Sequence, residues 1–137
     1  MSFLVDTSVL SEYTKPQPHP GLHAWLDGVD PGSLSLSTIT VFEVRVGIEM
    51  MPAGKRKRLL AHWLEVDVPE AYGGRVLPVD REVADRAGRL VAAARSKGWN
   101  DLEMDALIAA TALVHGLKVA TINRKHFERL GVELVKF

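Results

Sequence analysis

Asp6, Glu43, Asp105 and Asn123 are the residues through which this sequence can do chemistry. Three carboxylates and an amide suit a hard divalent cation, because Mg²⁺ takes oxygen ligands and keeps several of its waters. Clustered carboxylates also call for that cation, since unpaired like charges repel and raise one another's pKa. A cation so held can activate water and stabilise an in-line displacement at phosphorus. Each residue has a plainer reading. Asp6 can cap the helix that follows it. Glu43 ends Thr40-Val41-Phe42-Glu43, which has the form of a capping box. Asp105 and Glu103 can complement a helix dipole from the first turn, and Asn123 is a common turn residue.

The elements that must position these residues follow from hydrophobic pattern. Phe3-Leu4-Val5 is a short apolar run of the kind that forms a buried parallel strand, and it stops at Asp6. Val9–Tyr13 reads as a short helix, Lys15–Pro20 as a proline loop, and a small helix from Pro20 or Gly21 carries Leu22, Trp25 and Leu26. A turn over Asp27–Gly32, a weak strand over Ser33–Ser37 and a helix from Thr38 to Met50 come next. Lys55–Val66 reads as a helix with Leu59, Leu60 and Trp63 on one side, and Val76–Val79 as a strand. Asp80 is a good N-cap for a helix from Arg81 to Lys97, whose apolar residues recur at helical spacing. Glu103–His115 is the most apolar helix, closed by Gly116. A strand over Leu117–Thr121, a helix over Lys125–Leu130 and a last strand over Val132–Val135 complete the chain.

Strands and helices alternate throughout, which predicts an α/β fold with a mainly parallel central sheet of about five strands flanked by helices. In open parallel sheets, ligands bind at the carboxyl ends of the strands, close to the point where strand order reverses. Asp6 and Asn123 follow strand ends, and Glu43 and Asp105 lie near helix starts, so this topology brings all four to one rim. Asp105 is the most telling. It interrupts an otherwise apolar helix, where a lone acid is costly unless it is paired or bound to a metal.

Composition narrows the function classes. The 137 residues suit one domain, residues 1–137, with 47% apolar and 25% charged residues. Lys+Arg and Asp+Glu both number 17, which excludes a protein that grips nucleic acid by bulk positive charge. The absence of cysteine rules out disulfides, thiolate metal sites and a cysteine nucleophile. The N-terminus lacks the pattern of a signal peptide. The longest apolar stretch, Ala106–Val114, is interrupted by Thr111 and is far below the ~18 residues of a membrane span. A soluble, cytoplasmic protein with no membrane partner is expected.

The motifs together resemble those of the PIN-domain family. Leu4-Val5-Asp6-Thr7-Ser8-Val9-Leu10 resembles the opening of its members, and Thr40–Gly47 its second motif, an acid four residues before a glycine. Met104–Ala112 is very like the third, and Ala120-Thr121-Ile122-Asn123-Arg124-Lys125-His126-Phe127 resembles the fourth. The resemblance covers the chain end to end and is closest to VapC-type toxins of toxin–antitoxin pairs, including the FitB-like branch. Ser11–Pro18 and Ala24–Asp27 support that branch more weakly.

It implies a three-layer PIN-like fold and a Mg²⁺- or Mn²⁺-dependent endoribonuclease leaving a 5′-phosphate and a 3′-hydroxyl. It also implies metal-site roles for Asp6, Glu43 and Asp105, and support from Thr7, Ser8 and Thr121. The fourth catalytic position, Asn123, supplies no charge, which leaves the number of metal ions open. The partners implied are an RNA substrate, a cognate antitoxin and a second copy of the chain in a homodimer.

Arg124 and Lys125 lie beside the expected site and are candidates for RNA contact; Lys55–Arg58 is the one dense basic run. The histidines are scattered, and His19 and His23 are expected to be structural or solvent-facing. Trp25, Trp63 and Trp99 are expected to be core or interface anchors. A phosphotransferase with an Asp nucleophile would want a second Asp where Ser8 stands, and Gly73-Gly74 lacks the residues of a phosphate loop. The alternative from another class is a non-catalytic PIN-like module that only binds protein.

Overall fold

Strands β1 (Phe3–Val5), β2 (Leu34–Ser37), β3 (Val76–Leu77) and β4 (Lys118–Ala120) are all parallel and lie in the order β3-β2-β1-β4. The structure is a computed structural model and describes residues 1–17 and 19–137. Pro18, in the expected proline loop, lies outside the described residues. The chain steps from β1 to β2 to β3 in one direction and then returns to place β4 on the other side of β1. Strand order therefore reverses between β1 and β4, with Leu4 beside Val119 and Val5 beside Ala120.

Period-2 alternation splits these short strands between two apolar layers. Val5 and Ala120 face a core with Leu34 and Leu36, which is covered by α1 (Thr7–Glu12), α2 (Pro20–Gly28) and residues 60–72. Leu4 and Val119 face the opposite core, against α6 (Arg81–Ser96), α7 (Glu103–His115) and α8 (Arg124–Arg129). Helix α3 (Thr38–Glu49) lends Ile48 to the first core and Ile39 to the second. The result is the expected three-layer α/β arrangement. Among the described residues no helix is long and apolar enough to cross a membrane.

Several local signals act as their chemistry requires. The Asp80 side chain accepts from the Val83 amide at 2.9 Å and starts α6. Gly116 takes the left-handed conformation, φ 67°, that closes α7. The α7 bounds coincide with the expected ones, and six consecutive-to-near residues, Ala106 and Ile108–Ala112, are buried because small side chains let α6 pack closely along it.

Two regions differ from expectation. The expected Lys55–Val66 helix is not one regular helix and does not stop at Val66. Helix α4 (Lys55–His62) passes into a π-helical stretch (Trp63–Asp67) and then into α5 (Val68–Tyr72). Pro69 lacks an N–H and its ring clashes with the carbonyl of residue i−4 in a regular helix, so the wider π turn before it lets the chain continue. Leu59 turns outward, 59% exposed, while Leu60 and Trp63 pack inward. The fifth strand is reduced to a single parallel bridge, Val119 with Leu134, with bonds from Val119 N to Glu133 O and from Val135 N to Val119 O, both 2.9 Å.

Candidate active site

The β1–β4 reversal places Asp6 and Thr121 side by side at the carboxyl ends of their strands. The Asp6 amide donates to the Ala120 carbonyl at 2.9 Å, extending the ladder by one residue. Its carbonyl accepts from the Val9 and Leu10 amides at 3.0 and 3.1 Å, which begins α1. The side chain makes no capping bond and is 2% exposed, so the capping reading of Asp6 does not hold.

Its Oδ2 instead accepts from Ser8 Oγ at 2.7 Å and from Thr121 Oγ1 at 2.8 Å. These hydroxyls are themselves aimed by backbone. The Ile122 amide donates to Ser8 Oγ at 3.1 Å and the Asn123 amide to Thr121 Oγ1 at 2.9 Å. Both hydroxyl protons are thus directed at one carboxylate oxygen. Among the described residues Oδ1 receives no hydrogen bond and is left for a ligand.

Glu43 lies in the second turn of α3. That helix follows β2 with no intervening loop, and its N-cap is Ser37, whose Oγ accepts from the Ile39 amide at 3.0 Å. Thr40 is inside the helix, so the expected capping box does not form. Glu43 Oε1 accepts instead from Thr7 Oγ1 at 2.7 Å, and the Thr40 hydroxyl lies 3.1 Å from that same Thr7 oxygen. Asp105 is the third residue of α7, with Oδ2 2.9 Å from His126 Nδ1. With Asp105 ionised the carboxylate only accepts, and the contact then requires the proton on His126 Nδ1. Glu103 points elsewhere and pairs with Arg95 at 2.6 Å.

These acids sense one another. Burial raises the Asp105 carboxyl above its ordinary pKa, the Asp6 charge adds to the rise, and His126 opposes it. Burial likewise raises Glu43, with Asp6 and Asp105 adding and the Thr7 hydroxyl opposing. Among the described residues no lysine or arginine pairs with Asp6, Glu43 or Asp105. The site therefore concentrates negative charge that its own cations leave unbalanced.

No three Asp, Glu or His side chains among the described residues stand close enough to cage a metal ion by themselves. The donor chemistry still fits a hydrated Mg²⁺ or Mn²⁺ ion, because such ions are bound through one or two carboxylates and keep several waters. The remaining expected residues divide. Asn123 occupies the N-cap position of α8, exposed, with no capping bond from its side chain. Lys125 is exposed in the first turn of α8. Arg124 is partly committed, its Nη1 donating to the Val135 carbonyl at 2.7 Å.

His126 and Thr40 were not anticipated at the site. The usable signal for His126 is its place in the first turn of a helix that starts at the rim, three residues after Asn123. The other anticipated histidine role holds: His19 Nδ1 accepts from the Leu22 amide at 3.2 Å and its ring packs edge-on to Phe137.

A PIN domain family model matches residues 3–133. The chain belongs to the PIN-domain family. Along its length this PIN domain is similar to VapC ribonuclease Y4jK of Sinorhizobium fredii, with 40% identity over 132 residues, 96% of this chain and 94% of that protein. It is also 40% identical to Toxin FitB of Neisseria gonorrhoeae over 118 residues, 86% of this chain and 85% of that protein. The crystal structure of FitAcB from Neisseria gonorrhoeae superposes with a TM-score of 0.89 at 36% identity, covering 98% of this chain and 96% of that one. The resemblance to VapC- and FitB-type toxins drawn from the four motifs is borne out.

Proposed function

We propose that this chain is the nuclease toxin of a toxin–antitoxin pair, a Mg²⁺- or Mn²⁺-dependent endoribonuclease that hydrolyses RNA phosphodiester bonds. The observation that carries this reading is the convergence of Asp6, Glu43 and Asp105 at the β1–β4 reversal, each within the electrostatic reach of another and none paired with a lysine or arginine among the described residues. A structural cluster of acids would be neutralised by its own cations. This one is built to be neutralised by an ion and a substrate.

Asp6, Glu43 and Asp105 are the residues that would hold the ion, partly through water, with Asp6 Oδ1 offered to it. When bound, the ion supplies an activated water and a counter-charge for the phosphoryl oxygens. Ser8 and Thr121 fix the Asp6 carboxylate by occupying its other oxygen. Glu43 Oε1 accepts from the Thr7 hydroxyl at 2.7 Å, which holds its carboxylate at the site. Asn123 can position water or a phosphate oxygen through its amide but adds no charge. Lys125, exposed in the first turn of α8 and in no salt bridge among the described residues, is assigned to the RNA backbone, with Arg124 in a lesser part because of its bond to Val135.

The partners assigned are RNA, a cognate antitoxin and a second copy of the chain. Support for the antitoxin comes from solved relatives that are toxin–antitoxin complexes, FitAcB and FitAB bound to a DNA fragment. The deciding experiment is RNA end-mapping after brief expression of the wild type, Asp6→Asn and Asp105→Asn, with growth followed in parallel. Wild type is expected to arrest growth and to leave new 5′-phosphate ends, and both variants to do neither. Purified protein should cleave RNA with Mg²⁺ or Mn²⁺ and stop on chelation. Cleavage that persists in the chelator or in both variants, or a harmless wild type, would replace this reading with that of a protein-binding module.

A further inference from the structure

A cleft of about 230 Å³ opens directly beside Glu43, between α1, α3 and α4. Thr7 and Glu43, which belong to the acidic site, also line this cleft. Leu60 and Trp63 supply apolar surface, and Arg56 borders it. We propose that this cleft receives one nucleotide of the RNA next to the phosphate being cut, and that Gly47 is present to keep it open. The proposal rests on the nuclease reading above and assigns to that site a subsite for base selection.

Gly47, like Gly88 in α6, is required to be glycine neither by its backbone nor by a close neighbour; what distinguishes Gly47 is the cleft beside Glu43 that it lines. It stands inside α3, where glycine is unfavourable relative to alanine because of its extra backbone freedom. Its φ is not positive, so the backbone conformation does not demand it. A Cβ built on it would meet nothing within 4 Å, so no neighbouring helix presses on it either. What its missing side chain leaves free is the cleft it lines, one helical turn beyond Glu43.

Size and chemistry select the occupant. The volume is below the ~300–1,000 Å³ of pockets that engulf drug-sized ligands, so it fits a part of a larger molecule. An apolar wall that includes part of Trp63, whose ring otherwise packs on the first core, suits a base. Arg56 has five N–H donors, and one nitrogen approaches the Thr14 carbonyl at 3.5 Å, which leaves the rest of the guanidinium for a phosphate. Lys55, Arg56, Lys57 and Arg58 form no salt bridge with an acid among the described residues. A polyanion entering here meets cations at the border and the acidic site at the inner end, the order in which a substrate phosphate would need them.

The test compares Gly47→Ala and Gly47→Leu with the wild type on a pool of RNA oligonucleotides of randomised sequence, with Mn²⁺. Cut sites are mapped at single-nucleotide resolution, Mn²⁺ binding is followed by calorimetry, and melting is recorded. Filling the cleft with leucine should slow cleavage at least tenfold and change the base preferred beside the cut, with Mn²⁺ affinity unchanged. Alanine should raise the melting temperature by about 2–4 °C while still shifting the base preference in the same direction. Should leucine disturb folding, the alanine variant alone decides.

Wild-type rate and preference in both variants would overturn the proposal. So would a uniform slowing with the preference unaltered, which would give the cleft to a protein segment. Wild-type protein that binds Mn²⁺ yet cuts no RNA would overturn the nuclease reading itself, and is distinguishable from either result.

Discussion

Two buried acids stand at opposite ends of the short helix α1 and are treated in opposite ways. Glu12, at its end, is 6% exposed. Its Oε1 accepts from the His19 amide at 3.1 Å and its Oε2 is met by Lys15 Nζ at 2.7 Å. The Lys15 contact, helped by the His19 amide, holds the carboxyl below its ordinary pKa against the cost of burial. Asp6, just before the helix, is 2% exposed and meets two hydroxyls, with no cation beside it among the described residues. The chain is thus able to neutralise a buried acid where it uses one to staple a loop. At the rim it gathers three and supplies hydroxyls and a histidine instead. The contrast separates an acid used for structure from acids held ready for something from outside.

The comparison can be broken most forcefully at Glu12. Removing it leaves the His19 amide and the Lys15 ammonium without their partner, so Glu12→Ala should cost about 1–3 kcal/mol in denaturant unfolding. RNA cleavage by the folded fraction should stay within a few-fold of wild type. A loss of cleavage with stability intact would show that the two acids are not different in kind.

His126 comes next. Groups that orient a ligating side chain through a hydrogen bond typically alter metal affinity 10–100-fold. His126→Ala should weaken Mn²⁺ binding about tenfold by calorimetry, at the low end of that range. His126→Asn, which keeps an N–H donor near the position of Nδ1, should recover most of it. Equal loss in both would mean that the imidazole does not act on Asp105 through that bond.

The smallest effect concerns pH and sharpens the electrostatic half of the contrast. Glu43 and Asp105 have folded-state pKa values raised above their ordinary 4.5 and 3.8. The folded state therefore binds protons more tightly than the unfolded one, and the metal-free protein loses stability as pH rises through that window. The penalty is absent below the ordinary values and complete above the raised ones. Asp105→Asn should accordingly raise the melting temperature of the metal-free protein by about 1–2 °C at pH 7 and leave it unchanged near pH 3. A variant that melts lower at pH 7 would deny the mutual repulsion.

The sequence was legible where a single physical preference acts without competition. Asp80 has one way to serve an N-cap and Gly116 one way to close a helix, and α7 spans the expected residues. Asp6, Glu43 and Asp105 could be placed at one rim because parallel strands bring their carboxyl ends together. Legibility failed where two readings of one pattern compete. Thr40–Glu43 has the form of a capping box, but Ser37 is buried at the end of β2 and takes the cap, so Glu43 is left free for Thr7. Val132–Val135 has strand composition, but only one bridge forms beyond β4. His126 was unreadable because its meaning is a contact across 21 residues. Which way it turns depends on α7 and α8 being neighbours.

The π-helical stretch at Trp63–Asp67 also bears on chain length. It accommodates one residue more than a regular helix would in the same turn, and beyond it Val68 and Tyr72 face the core, 4% and 7% exposed. Removing one residue there, such as Glu65, would restore regular winding and leave the residues downstream at nearly the same angle, because the wide turn already holds the extra one. Val68 and Tyr72 would keep facing the core, and the cost would fall on Pro69, whose ring the wider turn accommodates. A relative one residue shorter here can therefore keep the same core wall with a regular helix, provided it has no proline at the position of Pro69, whereas the same loss inside a regular helix would turn everything downstream by about 100°.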